Sequence, residues 1–469
     1  MPIRNSVEVG TLRRRRSAAS VIALSALALS SCQVFSTDIS NPNAVVEADI
    51  SGAALAASAL VTGLYGAVNA AGGQIVGTVG AASDELTWAG SREYWNALDA
   101  GDVGDPDNEY TAGQFPYVAQ ARWLGDYTVP KLESYDVSTN LANKLKNRAD
   151  LGQAYFLSAT IYTMIGESYE NFVISSDRMV NGAPIGAANM RTVFDSAVKF
   201  LDKGVTLAQT INNTALTQRL LGMRARAKFS KAVWTSLRSG GGFPTQPLIN
   251  DAGANADATA ALAAMGSDNY RYRFDVIAQN NGGWFSTGFE TNQRLELRAG
   301  SRYIVPIGAG TRPLDGLAGI RLLDPVTGQI DPVTTANINE CCSSSSGQNV
   351  GWTATSAKEM HLILAEAALA TGNTATFTSR INSVRAVDGL PAWTGTPSAR
   401  AILLHERTVS LFLQGRRLND HYRFEERSDR WIATRGLRPC FFPISSSEQQ
   451  QNPLVPLPPV GNPRSTACQ

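Results

Sequence analysis

Large aromatic side chains occur in two polar, glycine-rich stretches of this 469-residue chain. Sugar rings present C–H faces that pack on aromatic planes, while polar side chains can satisfy the sugar hydroxyl groups. The candidate ligand-binding residues are Trp88, Tyr94, Trp95 and Trp284. A large aromatic residue in a loop can also anchor that loop to the core, and for any single residue this role is favoured. We expect one or two aromatic residues of these stretches to contact a ligand.

Motifs of the common catalytic classes are absent from the sequence. There is no G-x-S-x-G, Walker or dinucleotide-binding pattern. None of the three histidines, His361, His405 and His421, has a partner four residues away, as a helical zinc motif requires. We expect His361 and His405 to take part in helix packing. The sequence therefore predicts no metal site, no cofactor and no enzymatic activity.

Charged residues are dense near the C-terminus: Glu366, Glu406, Arg407, Arg417, Asp420 and Arg423. Such a set could support acid–base chemistry. Its helical spacing fits better with ion pairs that fix helices against one another. Arg417 and Asp420 are three residues apart, so we expect them to be neighbours on one helix face.

Four cysteines lie in the second half of the chain: Cys341, Cys342, Cys440 and Cys468. In an oxidising compartment an even number of cysteines favours disulfides. The sequence does not fix the pairing. Because adjacent cysteines rarely bond each other, Cys341 and Cys342 could each reach a C-terminal cysteine, with free thiols as the alternative. The spacing lacks the C-x2-C pattern of zinc sites.

The N-terminus has the pattern of a secretory signal, with basic Arg13–Arg16 before the apolar run Ala18–Leu29. This run is too short to span a bilayer. Leu-Ser-Ser then precedes Cys32, which resembles a bacterial lipobox, and such a cysteine becomes lipidated. The alternative is an ordinary signal peptide with a chance cysteine. We predict a lipoprotein signal peptide at residues 1–31 and a polar tether at residues 32–45.

The composition is that of a globular protein, with 43% hydrophobic and 17% charged residues. A formal net charge of +1 gives no basic surplus, so nucleic acid is excluded as a partner.

Apolar residues recur at helical spacing in most of the chain. The predicted helical segments are Ala48–Val68, Leu141–Tyr169, Arg191–Gln209, Leu216–Arg238 and Asn250–Met265. Between them, Trp88–Trp123 and Tyr270–Gln348 have the composition of loops. We expect these two segments, called here the first and second excursions, to lie together on one face with few and short strands.

Three short helices are predicted within Ser356–Phe424. The first begins at a capping box, in which Ser356 and Glu359 each accept the other residue's backbone N–H. Gly372 suits the left-handed position just past its end. The third helix carries Leu411 on its apolar side, where we expect it to be buried.

Five stretches resemble, in order, the C-terminal signature of the SusD/RagB family. They are Ala365–Ala367, Ile381–Pro391, His405–Arg407, Gly415–Phe424 and Phe441–Pro453. The signature spans residues 356–453, and Ser83-Asp84-Glu85 is similar to an earlier turn of that family. Ser410 and Gln414 stand where the family usually has acidic residues, and Ser445 stands where a proline is common.

The resemblance implies a mostly α fold over residues 46–469. This would be a tetratricopeptide-like scaffold of helical hairpins with long loop excursions and few short strands. It implies an outer-membrane lipoprotein, anchored by its lipid and facing the cell exterior, that passes an oligomeric nutrient to a TonB-dependent SusC-like transporter.

An oligosaccharide is the first choice of ligand. A peptide is the alternative, because Arg294, Arg298 and Arg302 could meet carboxylates. A surface glycan hydrolase and a helical-repeat adaptor without a small ligand are the other classes of function left open.

The lipid anchor can be tested by Cys32→Ala. Without the thiol that carries the lipid, we expect the protein to leave the membrane fraction. Membranes are washed at high salt, and the protein in pellet and supernatant is quantified. A variant that remains in the washed pellet would contradict the anchor.

Overall fold

The computed structural model describes residues 56–141, 143–175, 180–238, 243–275, 287–305, 319–343, 346–432 and 441–456. The predicted signal peptide and tether lie outside the described residues, and so do Cys32, Trp284, Cys440 and Cys468. Residues 54–469 cluster as one unit by their contacts. None of the described helices combines the length and hydrophobicity that a membrane span needs.

Helices dominate the described residues, and the strands are few and short. In chain order the elements are α1 (Ala57–Ala82), β1 (Leu86–Trp88), α2 (Glu93–Asp99), α3 (Glu109–Asp136), α4 (Arg148–Ser168), α5 (Arg191–Thr210), α6 (Thr214–Arg238), α7 (Ala252–Met265), β2 (Arg271–Phe274), β3 (Leu297–Ala299), α8 (Pro332–Cys341), β4 (Trp352–Ser356), α9 (Ala357–Ala370), α10 (Thr374–Val387), α11 (Ala399–Ser410), α12 (Arg417–Phe424) and α13 (Ser446–Gln451). The predicted mostly α fold is confirmed.

Consecutive helices pack against one another through most of the scaffold. Helix α3 packs on α1 and α4, and from α4 to α7 each helix packs on the next. Helix α9 continues the series, because it contacts both α7 and α10. The C-terminal helices α9 and α12 also contact α6. The result is the predicted scaffold of helical hairpins.

Small residues allow α1 to lie deep in this scaffold. Gly72 faces the indole of Trp352, and a Cβ at this position would overlap that ring. A Cβ at Gly80 would lie 2.8 Å from a methyl group of Leu413. The glycines that weaken helix propensity in this segment are therefore needed for close packing. The helix also extends well past Val68, where the predicted helix ends.

Helices α2 and α8 lie inside the predicted excursions, and α3 begins in the first one. Helix α3 occupies the end of the first excursion and contains Pro116 and Pro130, which act as break signals in a sequence. Packing against α1 and α4 outweighs the hydrogen bonds that these prolines cannot make. Helix α8 lies in the second excursion. The sequence feature that starts this helix is Asp331-Pro332. The Asp331 carboxylate accepts the N–H of Thr334 at 2.6 Å as a cap, and proline suits the first helical position.

Only half of the predicted capping box at the start of α9 is formed. Ser356 Oγ accepts the N–H of Glu359 at 3.2 Å. The Glu359 carboxylate instead accepts a hydrogen bond from Arg416 Nε at 2.8 Å. A charged donor makes a stronger hydrogen bond than a backbone N–H, which accounts for the exchange. Gly372 has a φ of +71°, as the predicted helix end requires.

The described strands form two antiparallel pairs. Strand β1 pairs with β3, with Trp88 opposite Leu297. Strand β2 pairs with β4 through an irregular register, and β4 leads directly into α9. The first pair therefore joins the start of the first excursion to the second excursion, and the second pair joins the second excursion to the C-terminal helices.

Leu411 lies one residue beyond α11 and is 2% exposed in a separate C-terminal core cluster. Leu411→Asp should lower the free energy of unfolding by about 3 kcal/mol or more, because it buries an unpaired carboxylate and leaves apolar neighbours without contacts. Urea unfolding followed by circular dichroism measures the change.

Leu141→Asp is the matched control, because Leu141 is 83% exposed. This control should stay within about 0.5 kcal/mol of the wild type. Equal stabilities of the two variants would contradict the packing of α11.

Candidate functional site

The turn Ser83-Asp84-Glu85 fixes the start of β1. The Asp84 carboxylate accepts two hydrogen bonds from Arg417, at 2.7 and 2.8 Å, and His421 Nε2 lies 3.1 Å away. Burial alone would raise the pKa of Asp84, but Arg417 and His421 hold it well below its usual range. Asp84 is therefore a carboxylate that ties the first excursion to α12.

Glu85 is buried beside Asp84 and binds a different part of the C-terminal region. Its Oε1 accepts the backbone N–H of Leu413 at 2.8 Å. Leu413 has a positive φ of +50°, so this contact stabilises an unusual backbone conformation after α11. Burial, followed by the charge of Asp84, raises the pKa of Glu85 to about 8.

The two excursions are joined by the buried carboxylate of Glu296. Its Oε2 accepts the backbone N–H groups of Ser91 and Arg92 at 2.8 and 2.9 Å. Together with the β1–β3 pairing, this contact places the two excursions on one face. The predicted juxtaposition is confirmed for the described residues.

Trp88 ends β1, and its side chain is partly exposed. Its backbone N–H donates to Asp99 Oδ2 at 2.9 Å, and Thr87 Oγ1 donates to the same oxygen. The indole Nε1 is buried and makes no hydrogen bond within the described part of the chain. Trp88 is therefore held by its backbone, and its ring remains partly available at the surface.

Trp95 is an anchor of the first excursion. It is 1% exposed, its ring stacks on Tyr110 with centroids 3.7 Å apart, and Nε1 donates to Glu290 Oε2 at 2.9 Å. Burial raises the pKa of Glu290 to about 7. Because its ring is covered, Trp95 anchors the first excursion to the core and does not present its ring to a ligand.

Tyr94 is 43% exposed, and its backbone carbonyl accepts a hydrogen bond from Asn108 Nδ2 at 2.9 Å. Tyr94 and Trp88 are the predicted aromatic residues that reach the surface of the described first excursion. Trp284 is outside the described residues, so its role stays a prediction. No sequence signal identified Glu290 and Glu296 as the residues that orient this loop, because their partners are about 200 positions away.

The charged residues near the C-terminus form ion pairs between helices, as expected. Arg417 and Asp420 both lie in α12, but they have different partners. Arg417 binds Asp84 and does not pair with Asp420. Asp420 instead pairs with Arg407 at 2.8 Å and Arg423 at 2.7 Å. A bidentate contact with Asp84 is available to Arg417 only because the chain brings α1 back to α12.

The departures from the family signature also have local structural roles. Gln414 Nε2 donates to the carbonyl of Ser410 at 2.9 Å, so these two residues bond to each other without an ion pair. Ser445 Oγ accepts the N–H of Glu448 at 3.3 Å and caps α13.

A cavity of about 480 Å³ lies between the second excursion and the scaffold. Its walls come from β2, β4, α8 and the segment 409–414. Trp352 and Phe412 contribute apolar wall, and Asn337, Ser410 and Gln414 contribute neutral polar groups. Because Leu413 also lines the cavity, the Glu85 contact described above holds part of its wall.

Cys341 and Cys342 form a disulfide with each other, contrary to the premise that adjacent cysteines rarely bond, so neither reaches a C-terminal cysteine. Both are buried at the end of α8, where the geometry places the two sulfur atoms together. The carbonyl of Cys341 accepts a hydrogen bond from Asn292 Nδ2 at 2.8 Å. Cys341 also lines the cavity.

The three arginines that could meet peptide carboxylates are already engaged within the protein. Arg294 pairs with Glu290 at 2.8 Å, and Arg302 lies 3.4 Å from Asp84. Arg298 is 2% exposed. The prediction that these arginines could bind the carboxylates of a peptide ligand is therefore not supported by their positions in the structure.

Among the described residues, one group approaches metal-binding geometry: Asp324, Asp331 and His405, with ligand atoms within 4.8 Å of one another. Asp324 already binds the Arg385 guanidinium at 2.8 Å, and Asp331 binds His405 at 2.9 Å. Because a cationic side chain already neutralises Asp324, the group fits an ion-pair cluster better than a metal site. His361 likewise contacts Asp268 at 2.8 Å.

Glu85 provides a test of this arrangement by pH. Its folded-state pKa of about 8 exceeds its ordinary value of 4.5, so the native state binds more protons than the unfolded state between these values. The stabilising contribution is complete below about pH 4.5 and is lost as the pH rises through 8. Glu85→Gln keeps an acceptor for Leu413 N but cannot ionise.

We expect wild-type stability to fall more steeply than that of Glu85→Gln between pH 5 and 8, by at most about 1.4 kcal/mol per pH unit. Urea unfolding at several pH values measures both profiles. Parallel profiles would show that Glu85 does not titrate in this window.

No protein-family model matches the sequence, and no curated protein matches it. Solved structures do match the fold over most of the chain. A SusD superfamily protein from Bacteroides vulgatus ATCC 8482 has a TM-score of 0.53 and 14% identity, covering 87% of this chain and 98% of that one. One from Parabacteroides distasonis ATCC 8503 has a TM-score of 0.57 and 11% identity, with coverages of 86% and 98%.

NanU of B. fragilis has a TM-score of 0.56 and 14% identity, and it covers 89% of this chain and 99% of its own. At these identities the likeness establishes the fold. The family resemblance of the sequence motifs is thereby confirmed at the level of the fold, and this chain has the fold of the SusD superfamily.

Proposed function

We propose that this protein binds an oligosaccharide at the cell surface and delivers it to a TonB-dependent outer-membrane transporter. The observation that carries the proposal is the face formed by the two excursions on a rigid helical scaffold. There, Trp88 and Tyr94 are partly exposed beside backbone and side-chain polar groups. Aromatic planes with nearby hydrogen-bonding groups match the chemistry of a sugar ring.

The position of this face suits a loop-borne binding site. Buried carboxylates hold the backbone at the start of the first excursion, since Asp99 accepts the N–H of Trp88 and Glu296 accepts the N–H of Ser91. Loops on a rigid scaffold can vary in sequence without loss of the fold. Such a site can select a ligand while the scaffold remains constant.

Delivery to a transporter rests on the motif resemblance and on the predicted lipid anchor at Cys32. A tethered binding protein contributes to uptake only if it passes its ligand on. We expect a permanent interface of more than about 2,000 Å² with a SusC-like β-barrel. Affinity purification from detergent extracts should recover such a barrel, and repeated recovery of this protein alone would argue against the partnership.

Binding without hydrolysis is supported by the state of the carboxylates around the cavity. Asp268 is paired with His361, Glu340 with Arg271 and Asp388 with Lys358. A glycoside hydrolase needs two carboxyl groups that face the scissile bond. We therefore propose a binding protein, and the appearance of new reducing ends from a bound glycan would move the assignment to an enzyme.

The aromatic face is tested with a glycan array followed by calorimetry on the best ligand. Trp88→Ala and Tyr94→Ala should each weaken binding about tenfold, equivalent to about 1.4 kcal/mol, because each removes a surface that packs on a sugar. Tyr94→Ala is the more informative variant, because Tyr94 is exposed and its replacement should have little effect on folding.

Tyr127→Ala is the control, because Tyr127 is a partly exposed aromatic residue on α3. It lies about 27 Å along the helix axis from Glu109, the residue at which α3 begins. This variant should bind as the wild type does. Unchanged affinity in Trp88→Ala and Tyr94→Ala would contradict the proposed binding face. Equal losses of affinity in all three variants would contradict it as well.

A further inference from the structure

Two highly exposed aliphatic side chains share the turn between α3 and α4, defined here as residues 137–141 and 143–147. Val137 is 79% exposed and Leu141 is 83% exposed, the two highest values among the exposed large hydrophobic residues of the described chain. The turn has a fixed conformation, because Leu145 is buried and its N–H donates to the carbonyl of Tyr135 at 3.0 Å. A single exposed aliphatic residue needs no explanation, but here two of them share one turn with a specific charge pattern.

The charge of this turn is entirely positive. Lys144 and Lys146 are exposed, and neither side chain makes an ion pair or hydrogen bond within the described residues. No acidic residue occurs between positions 137 and 147. The next basic residue, Arg148, is neutralised by two hydrogen bonds to Asp136, at 2.6 and 2.7 Å. The turn therefore presents two unpaired ammonium groups beside two aliphatic side chains.

Helix α1 begins at the same end of the scaffold as the turn. Tyr65 of α1 and Phe156 of α4 both pack on the ring of Phe274, with centroids 5.1 and 6.3 Å from it. Each of the two lies eight residues after the first residue of its helix. Thr78, late in α1, bonds to Gln114, which is early in α3 and so far from the turn. Helices α1 and α4 therefore start at one level and both run away from the turn.

The side chains of the turn suit a lipid surface better than a protein partner. Protein interfaces are enriched in aromatic residues and depleted in Lys, and a stable one buries about 800 Å² on each side. Two aliphatic side chains among Ser, Thr and Asn residues do not supply such an area. At a membrane, by contrast, aliphatic side chains enter the headgroup region while Lys ammonium groups pair with lipid phosphates.

We propose that this turn contacts an anionic lipid surface, with Val137 and Leu141 inserted among the headgroups and Lys144 and Lys146 bound to lipid phosphates. The predicted lipid anchor at Cys32 precedes α1 in the chain, and α1 begins at this end of the scaffold. The anchor and the turn would then attach the protein to the membrane at two points. Two points of attachment restrict the orientation of the scaffold, which one point does not. The inference is independent of the proposed oligosaccharide ligand.

The test uses the chain from residue 32 onward with Cys32→Ala, so that no lipid is attached. Residues 1–31 precede the compact unit formed by residues 54–469 and are omitted. Vesicles of equal parts phosphatidylglycerol and phosphatidylcholine are sedimented at about 0.1 M salt, and the bound protein is quantified. This chain should bind the vesicles. Binding should fall several-fold at about 1 M salt, where charges are screened, and on vesicles of phosphatidylcholine alone.

Leu141→Asp should lower the vesicle partition coefficient at least tenfold, because it replaces an inserted aliphatic group with a charge that lipid phosphates repel. The exposed position of Leu141 leaves the fold intact, so this loss does not reflect unfolding. The double variant Lys144→Gln with Lys146→Gln should lower the coefficient several-fold and remove most of its salt dependence.

Leu454→Asp is the matched control, because Leu454 is 52% exposed and the chemical change is the same. Its neighbour Asn452 donates a hydrogen bond to the carbonyl of Gly182, in the loop that follows α4. Since α4 is about 30 Å long, Leu454 lies far from the turn at which that helix begins. This variant should bind vesicles as the parent chain does.

The outcomes are distinct. Absence of binding by the parent chain, equal binding by Leu141→Asp, or an equal loss in Leu454→Asp would overturn the lipid contact. Binding that is independent of salt and of phosphatidylglycerol would overturn the pairing of the lysines with phosphates. If Leu141→Asp leaves vesicle binding unchanged but reduces recovery of a β-barrel from detergent extracts, the turn docks on a protein and the lipid contact fails.

Discussion

A buried ion pair between Asp84 and Arg417 connects parts of the chain that are 333 residues apart. The two hydrogen bonds are bidentate, and both side chains are at most 6% exposed. Removing one member of such a pair leaves an uncompensated buried charge, which costs about 3–5 kcal/mol. The position of β1, and hence of the first excursion, depends on this contact with α12.

Other buried arginines repeat this arrangement through the scaffold. Arg226 binds Glu167 between α6 and α4, and Arg423 binds Glu366 between α12 and α9. Each pair joins helices that apolar packing alone would leave free to slide, because an ion pair needs one specific geometry. We infer that these pairs set the register of the helices, while apolar contacts supply most of the stability.

The division between scaffold and excursions has a functional consequence. Ion pairs and close-packed glycines fix the helices, whereas the backbone of the first excursion at Trp88, Ser91 and Arg92 is held by hydrogen bonds to buried carboxylates. Glu296 and Asp99 therefore orient the loop without occupying its surface. This leaves Trp88 and Tyr94 for ligand contact and assigns Trp95 to the core.

The sequence by itself determined the helical scaffold, since apolar periodicity and caps such as Ser356 depend on neighbouring residues. It also predicted that the charged residues of the family motifs form ion pairs between helices. It could not determine the partners of Arg417 or the burial of Trp95, because these depend on contacts hundreds of positions away. The helix through Pro116 differs from local rules because its packing against α1 and α4 outweighs local preference. The cavity beside Ser410 exists only where four separate segments meet, so the tertiary structure alone decided it.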